Sequence, residues 1–182
     1  MENSLTSAER NKMAATYGLL LGIIYLILNT WTYMSTGSMM AFYGVTALAF
    51  VLYFVTMGIL AGRIRKANGG YIEFKDVFGA IIIMIFISCL ISYVYNLVYM
   101  KYIDPAFMDK IKNTTIQFME KNKVPDDQIE DAVRKFDKQA AEAKGSGIGK
   151  MILSYFEMVV FCCLFGLIVA AIVKKKPPMF DN

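Results

Sequence analysis

Glu157 is the side chain whose type and place most demand a chemical explanation. It sits in an uncharged apolar run from Met151 to Val173, about six residues and roughly 9 Å from the start of that run at helical rise. A carboxyl group at mid-helix in a bilayer costs roughly 2.5–3.5 kcal/mol on insertion scales, so an intramembrane acid marks a functional site by default. Asn29, Thr46 and Asn96 lie at comparable depths in three other apolar runs. Folded as an antiparallel bundle, the four runs would stack Glu157, Asn96, Asn29 and Thr46 in one layer, with Tyr93 and Tyr155 near it. Such a layer could do two things. It could clasp the helices through interhelical hydrogen bonds worth about 0.6–2 kcal/mol each, or it could form a small polar pocket for a cation, a proton or a lipid headgroup.

Other chemistry has little to stand on. The chain contains no histidine, which removes Ser–His–Asp and Cys–His arrangements and most catalytic zinc sites. Cys89, Cys162 and Cys163 all fall inside apolar runs and read as buried thiols rather than disulfide partners or metal ligands. No metal and no cofactor is expected. Glu73 and Asp76 form the one close acidic pair outside the 101–150 segment, and helix capping accounts for them as well as catalysis does. The Gly145–Lys150 stretch resembles a phosphate loop only faintly: it is one residue short, Met151 replaces the required Ser/Thr, and no strand precedes it. With a net charge of +4, and much of the basic charge flanking apolar runs, anionic headgroups rather than nucleic acid are the expected counter-charge.

The elements that must position these residues follow from how the apolar residues cluster. Of 182 residues, 57% are hydrophobic, and mean hydropathy is +0.46. Four runs, at about 13–34, 39–60, 77–100 and 151–173, are each about 20 residues or longer, enough to cross a hydrocarbon core. The first is too long for a signal-peptide core and is followed by no cleavage site. Residues 1–12 read as a polar tail. Residues 35–38 form a tight link, and Asn68-Gly69-Gly70 ends the second helix. Phe74, Val77, Phe78 and Ile81 have helical spacing and lead into the third span, whose far end is rich in tyrosine (Tyr93, Tyr95, Tyr99, Tyr102), as at a headgroup interface.

Residues 101–150 are the one sizeable polar segment. Asp104-Pro105 predicts a helix start, with Phe107, Ile111, Thr115, Phe118 and Met119 on one face. Val124-Pro125 breaks that helix. Asp126 is the expected cap of a second, striped by Ile129, Val133, Phe136 and Ala140, and Gly145-Ser146-Gly147 ends it. The organisation is therefore 1–100, a tail and three spans; 101–150, an amphipathic helical hairpin; and 151–182, a fourth span and a basic tail in which Lys174–Lys176 and Pro177-Pro178 stop the helix. The fold class is an all-α integral membrane protein, a four-transmembrane-helix bundle.

Nine Lys and Arg crowd against span ends on the terminal side, while ten are spread over the hairpin beside nine acids. The raw count is even, so distribution and the first span decide: both termini are expected in the cytoplasm and the hairpin outside it. Gly18-x-x-x-Gly22 and Gly58-x-x-x-Gly62 would let helix backbones approach closely, within the bundle or in a dimer.

The run Gly69-Gly70-Tyr71-Ile72-Glu73-Phe74-Lys75-Asp76-Val77-Phe78, the Tyr-rich end of span three into Tyr102-Ile103-Asp104-Pro105-Ala106-Phe107, and the helical segment before span four resemble the family known as domain of unknown function 4199. Nearly the whole chain is covered. The resemblance implies a small bacterial inner-membrane protein of four spans, with no catalytic residues to carry over. It also implies genes often placed near a membrane glycosyltransferase, which makes such an enzyme one expected partner, beside another membrane protein or a second copy of this chain. The expected role is a non-enzymatic accessory or scaffold subunit. The alternatives are a small transporter or channel subunit using the Glu157 layer, and a membrane enzyme acting on lipid-linked substrates.

Overall fold

A computed structural model describes residues 5–144 and 147–176. Six α-helices account for most of them: α1 (Ser7–Met34), α2 (Met39–Ala67), α3 (Phe74–Val98), α4 (Phe107–Lys121), α5 (Asp126–Lys144) and α6 (Ile148–Val173). A five-residue π-helical turn, Tyr99–Ile103, extends α3. Helices α1, α2, α3 with its extension, and α6 are each long and apolar enough to cross a membrane. The chain is thus an all-α, multi-pass membrane bundle. Its exterior agrees: Ile23, Ile27, Val55, Val94, Val160 and Leu164 are all more than half exposed, an apolar surface that a water-soluble monomer rarely carries.

Helix α3 is the central element. Val77, Ala80, Ile81, Met84, Ile85, Ser88, Cys89 and Ser92 are buried along it, and it packs against α1, α6 and α2. Small residues set the closest approaches. A Cβ placed on Gly18 would lie 3.1 Å from the Cα of Met84 and 3.2 Å from its carbonyl oxygen, and one on Gly166 would lie 3.0 Å from Ile81 and Ile85 side-chain atoms.

The two chain ends are tied together at one end of the bundle. The Leu5 amide donates to Asn68 Oδ1 at 3.0 Å, and Arg65 donates to the Val173 carbonyl at 2.9 Å. Ile72 and Lys175 exchange backbone hydrogen bonds of 2.9 and 3.0 Å. Arg10 pairs with Asp76 at 2.9 Å. The turn before Ile72 needs positive φ at Gly69 (76°) and Gly70 (87°), which glycine adopts without steric penalty.

At the opposite end, the hairpin of α4 and α5 sits over the α1–α2 turn. Phe107 wedges against Tyr33 and Tyr99, with ring centroids 4.8 and 5.9 Å away, and Thr114 donates to the Thr36 carbonyl at 2.8 Å. Lys112 pairs with Asp137 across the hairpin.

Several local expectations are corrected. Residues 7–12 belong to α1 rather than to a tail, because Thr6 and Glu9 form a capping box. Hydrogen bonds from the Thr6 side chain and backbone hold the Glu9 carboxyl below its ordinary range. By contrast, helix α2 runs through Arg63, Arg65 and Lys66 to Ala67 and is C-capped by Asn68, the end that Asn68-Gly69-Gly70 predicts. Asp104 does not cap α4. The N-cap is Ala106, while the Asp104 carboxylate pairs with Lys110 at 2.7 Å. Asp126 is the first residue of α5 rather than its cap, and the Pro125 carbonyl accepts the Gln128 and Ile129 amides. Of the four tyrosines expected as an interfacial belt, three turn inward. Tyr93 donates to the Met151 carbonyl at 2.8 Å, Tyr95 bonds Thr30 at 2.6 Å, and Tyr99 is buried. Only Tyr102 is freely exposed. The helix break expected at Gly145-Ser146 and the stop at Pro177-Pro178 lie outside the described residues.

Candidate functional site

The four residues expected to form one polar layer go separate ways. Thr46 is exposed and donates to the Phe42 carbonyl of its own helix at 2.7 Å. Asn96 is half-buried and donates to the Ser92 carbonyl at 3.0 Å, again within its helix. Asn29 is half-buried, and its buried Nδ2 has no hydrogen-bond partner. Glu157 is exposed on the outside of the bundle. No hydrogen bond joins any two of the four among the described residues. The clasp and the inward pocket both required Glu157 to face its neighbours. Instead it shares an outward stripe of α6 with Phe161, Leu164, Ile168 and Ile172, all of them exposed.

The two glycine motifs also part company. Gly18 and Gly22 are buried against α3, so the first motif serves packing inside the bundle. On α2, a Cβ at Gly58 would come no nearer than 3.7 Å to Val169, and one at Gly62 would meet nothing within 4 Å. The second motif therefore brings no helix of the bundle into close contact among the described residues. Gly58 instead lines an open apolar cleft of about 550 Å³ between α2 and α6, together with Phe50, Phe54, Phe165 and Val169. The acidic pair at the terminal end is not a free catalytic pair either, since the Asp76 carboxylate is engaged by Arg10.

The polar interior of the bundle lies elsewhere, at mid-membrane depth. A cavity of about 200 Å³ is lined by Tyr25, Phe50, Tyr53, Phe54, Cys89, Ser92, Met158, Phe161 and Cys162. Each of the four spans contributes from near the middle of its apolar run. Gly18, Gly22 and Tyr25 recur at helical spacing on the α1 face turned to α3, and Ser88 and Ser92 recur one turn apart on α3. The Tyr53 hydroxyl bonds the Ser88 hydroxyl at 2.7 Å, and the Tyr25 and Tyr53 rings lie 4.9 Å apart. Ser92 is 1% exposed, and its Oγ has no hydrogen-bond partner. No lining residue is charged, so the cavity suits neutral molecules rather than ions.

The sequence reading missed this cavity because Tyr, Ser and Cys insert into membranes without an evident penalty and do not interrupt an apolar run. The one available signal was the i, i+4 repetition of Ser88 and Ser92 beside Cys89.

A family model described as protein of unknown function (DUF4199) matches residues 16–175. The chain belongs to this family. No curated protein and no solved structure matches it. The DUF4199 match takes in all four spans and the hairpin, and therefore the cavity, the cleft and Glu157 alike. Two segments that carried the resemblance have structural work in this DUF4199 protein: within 69–78, Ile72 pairs with Lys175 and Asp76 with Arg10, and Tyr99 to Phe107 docks the hairpin.

Proposed function

We propose that this protein is an accessory or scaffold subunit of a membrane assembly, and that the outward face of α6 is where a partner packs. The observation that carries this reading is the exposure of Glu157. A carboxyl group facing lipid at that depth is costly even when protonated. A second membrane protein, or a second copy of this chain, that covers the α6 stripe with a hydrogen-bond donor at the level of Glu157 would remove that cost. The flanking Phe161, Leu164 and Ile168 supply apolar area for the same contact. The crowding of Lys and Arg against the span ends at the terminal end, with Arg10 and Lys12 just before the first apolar run, supports placing that end on the cytoplasmic side of the inner membrane, with the hairpin outside. A transport role built on Glu157, Asn96, Asn29 and Thr46 finds less support, since these residues do not meet.

The test is purification from native membranes in mild detergent. The expected result is a complex with a second polypeptide, kept by Glu157→Gln, which can still hydrogen-bond, and lost in Glu157→Leu. A strictly lone protomer, with the Leu variant behaving like the parent, would overturn the proposal.

A further inference from the structure

We infer that the mid-membrane cavity is a binding site for a neutral, lipid-soluble molecule whose flat ring carries a carbonyl oxygen, a quinone-type head, with a hydrocarbon tail lying in the α2–α6 cleft. Four observations lead there.

The first is unspent hydrogen-bonding capacity. Ser92 Oγ is buried, lines the cavity and has no partner. A buried polar group left without a partner is destabilising, and the serine hydroxyl can donate to a carbonyl oxygen. An acceptor oxygen on the ligand answers Ser92. The second is the lining, which is aromatic on several sides through Tyr25, Phe50, Tyr53 and Phe161 and suits a flat ring. The third is size. An engineered cavity of about 150 Å³ takes a benzene ring, so about 200 Å³ admits one to two fused rings. Water is a poor alternative occupant. At about 30 Å³ each, roughly six waters would fill the space, and each needs two to four polar partners that this mostly apolar wall does not supply.

The fourth observation is what adjoins the cavity. Phe50 and Phe54 line both the cavity and the apolar cleft. The two spaces adjoin at these two side chains, one small with a hydrogen-bonding group, the other large, open and greasy. That pairing matches an amphiphile with a ring head and a prenyl-like tail.

The test uses the full chain in mild detergent, with 2,3-dimethyl-1,4-naphthoquinone as the head probe. Both reactive ring carbons are capped, so the Cys89 and Cys162 thiols cannot add to it. Equilibrium dialysis against empty micelles should show saturable uptake. The oxygen-free 2,3-dimethylnaphthalene should bind at least fivefold more weakly. Ser92→Ala should weaken the quinone about fivefold and leave the hydrocarbon unchanged. A prenylated analogue should bind more tightly than the head alone, and Gly58→Phe, which fills the cleft, should remove that gain while keeping head binding. Should Ser92→Ala fail to fold, Ser92→Cys, whose thiol is a weak hydrogen-bond donor, serves in its place, with the same selective loss of quinone affinity expected. Absence of saturable uptake, equal affinity for the quinone and the hydrocarbon, or an unchanged quinone affinity in a folded Ser92 variant would each overturn the inference.

Discussion

Two substitutions of the same kind, Gly18→Ala and Gly62→Ala, should differ in stability by the cost of one close helix approach. A methyl group at Gly18 would sit 3.1 Å from the Met84 Cα and 3.2 Å from its carbonyl oxygen. Carbon contacts are optimal at about 3.5–4.0 Å, so the shortfall is about half an ångström, and it falls on helix backbone that no rotamer change can move. Helices α1 and α3 must separate, and a gap of that order forfeits a quarter or more of the contact energy of every atom lining it. Overpacking of this kind typically costs about 1–3 kcal/mol. Against it stands the helix-propensity gain of Ala over Gly, about 1 kcal/mol. At Gly62 nothing lies within 4 Å, so only the gain remains. The propensity contribution is common to both variants and cancels in the comparison. The difference between them should therefore be the overpacking cost itself, about 1–3 kcal/mol, with Gly62→Ala at or slightly above the parent and Gly18→Ala below Gly62→Ala by that amount. Reversible unfolding by added SDS, followed by far-ultraviolet circular dichroism in mixed micelles, measures both. Equal stabilities would refute the assignment of Gly18 to an α1–α3 close approach. A parent-like Gly18→Ala that fails to dimerise would reassign the motif to self-association.

Two further outcomes follow from the same geometry. Phe107→Ala removes a buried ring wedged between Tyr33 and Tyr99, a loss of about 3–5 kcal/mol. It should fall on hairpin docking rather than on the spans, so that residues 107–141 become protease-sensitive while the four long helices stay protected. Protection of the hairpin equal to the parent's would contradict the docking role. Reporter fusions at residue 125 and after Lys176 should report opposite sides of the membrane, with the former outside the cytoplasm. A reporter active in the cytoplasm at residue 125 would reverse the proposed orientation.

What the sequence determined by itself is the set of elements. Four spans and an amphipathic hairpin were legible because length, hydropathy and charge placement act locally and leave clear boundaries. The Thr6–Glu9 capping box was equally local and equally readable. Its consequence, a helix beginning at Ser7, was missed because the polar residues around it suggested a tail. The family was legible too, from short runs that turn out to tie the chain ends together and to dock the hairpin.

Only the tertiary structure decided which face of each span turns inward. In a soluble helix, the contrast between apolar core and water writes that face into the sequence. Lipid is as apolar as leucine, so the lipid-facing and core-facing sides of a span are built from the same residues, and depth along the helix is readable where rotation is not. Depth alone put Glu157, Asn96, Asn29 and Thr46 in one layer; rotation sent Glu157 and Thr46 outward. Rotation likewise buried Gly18 against α3 while leaving Gly62 open, and gathered Tyr25, Tyr53, Cys89, Ser92 and Cys162 from four separate spans around one cavity.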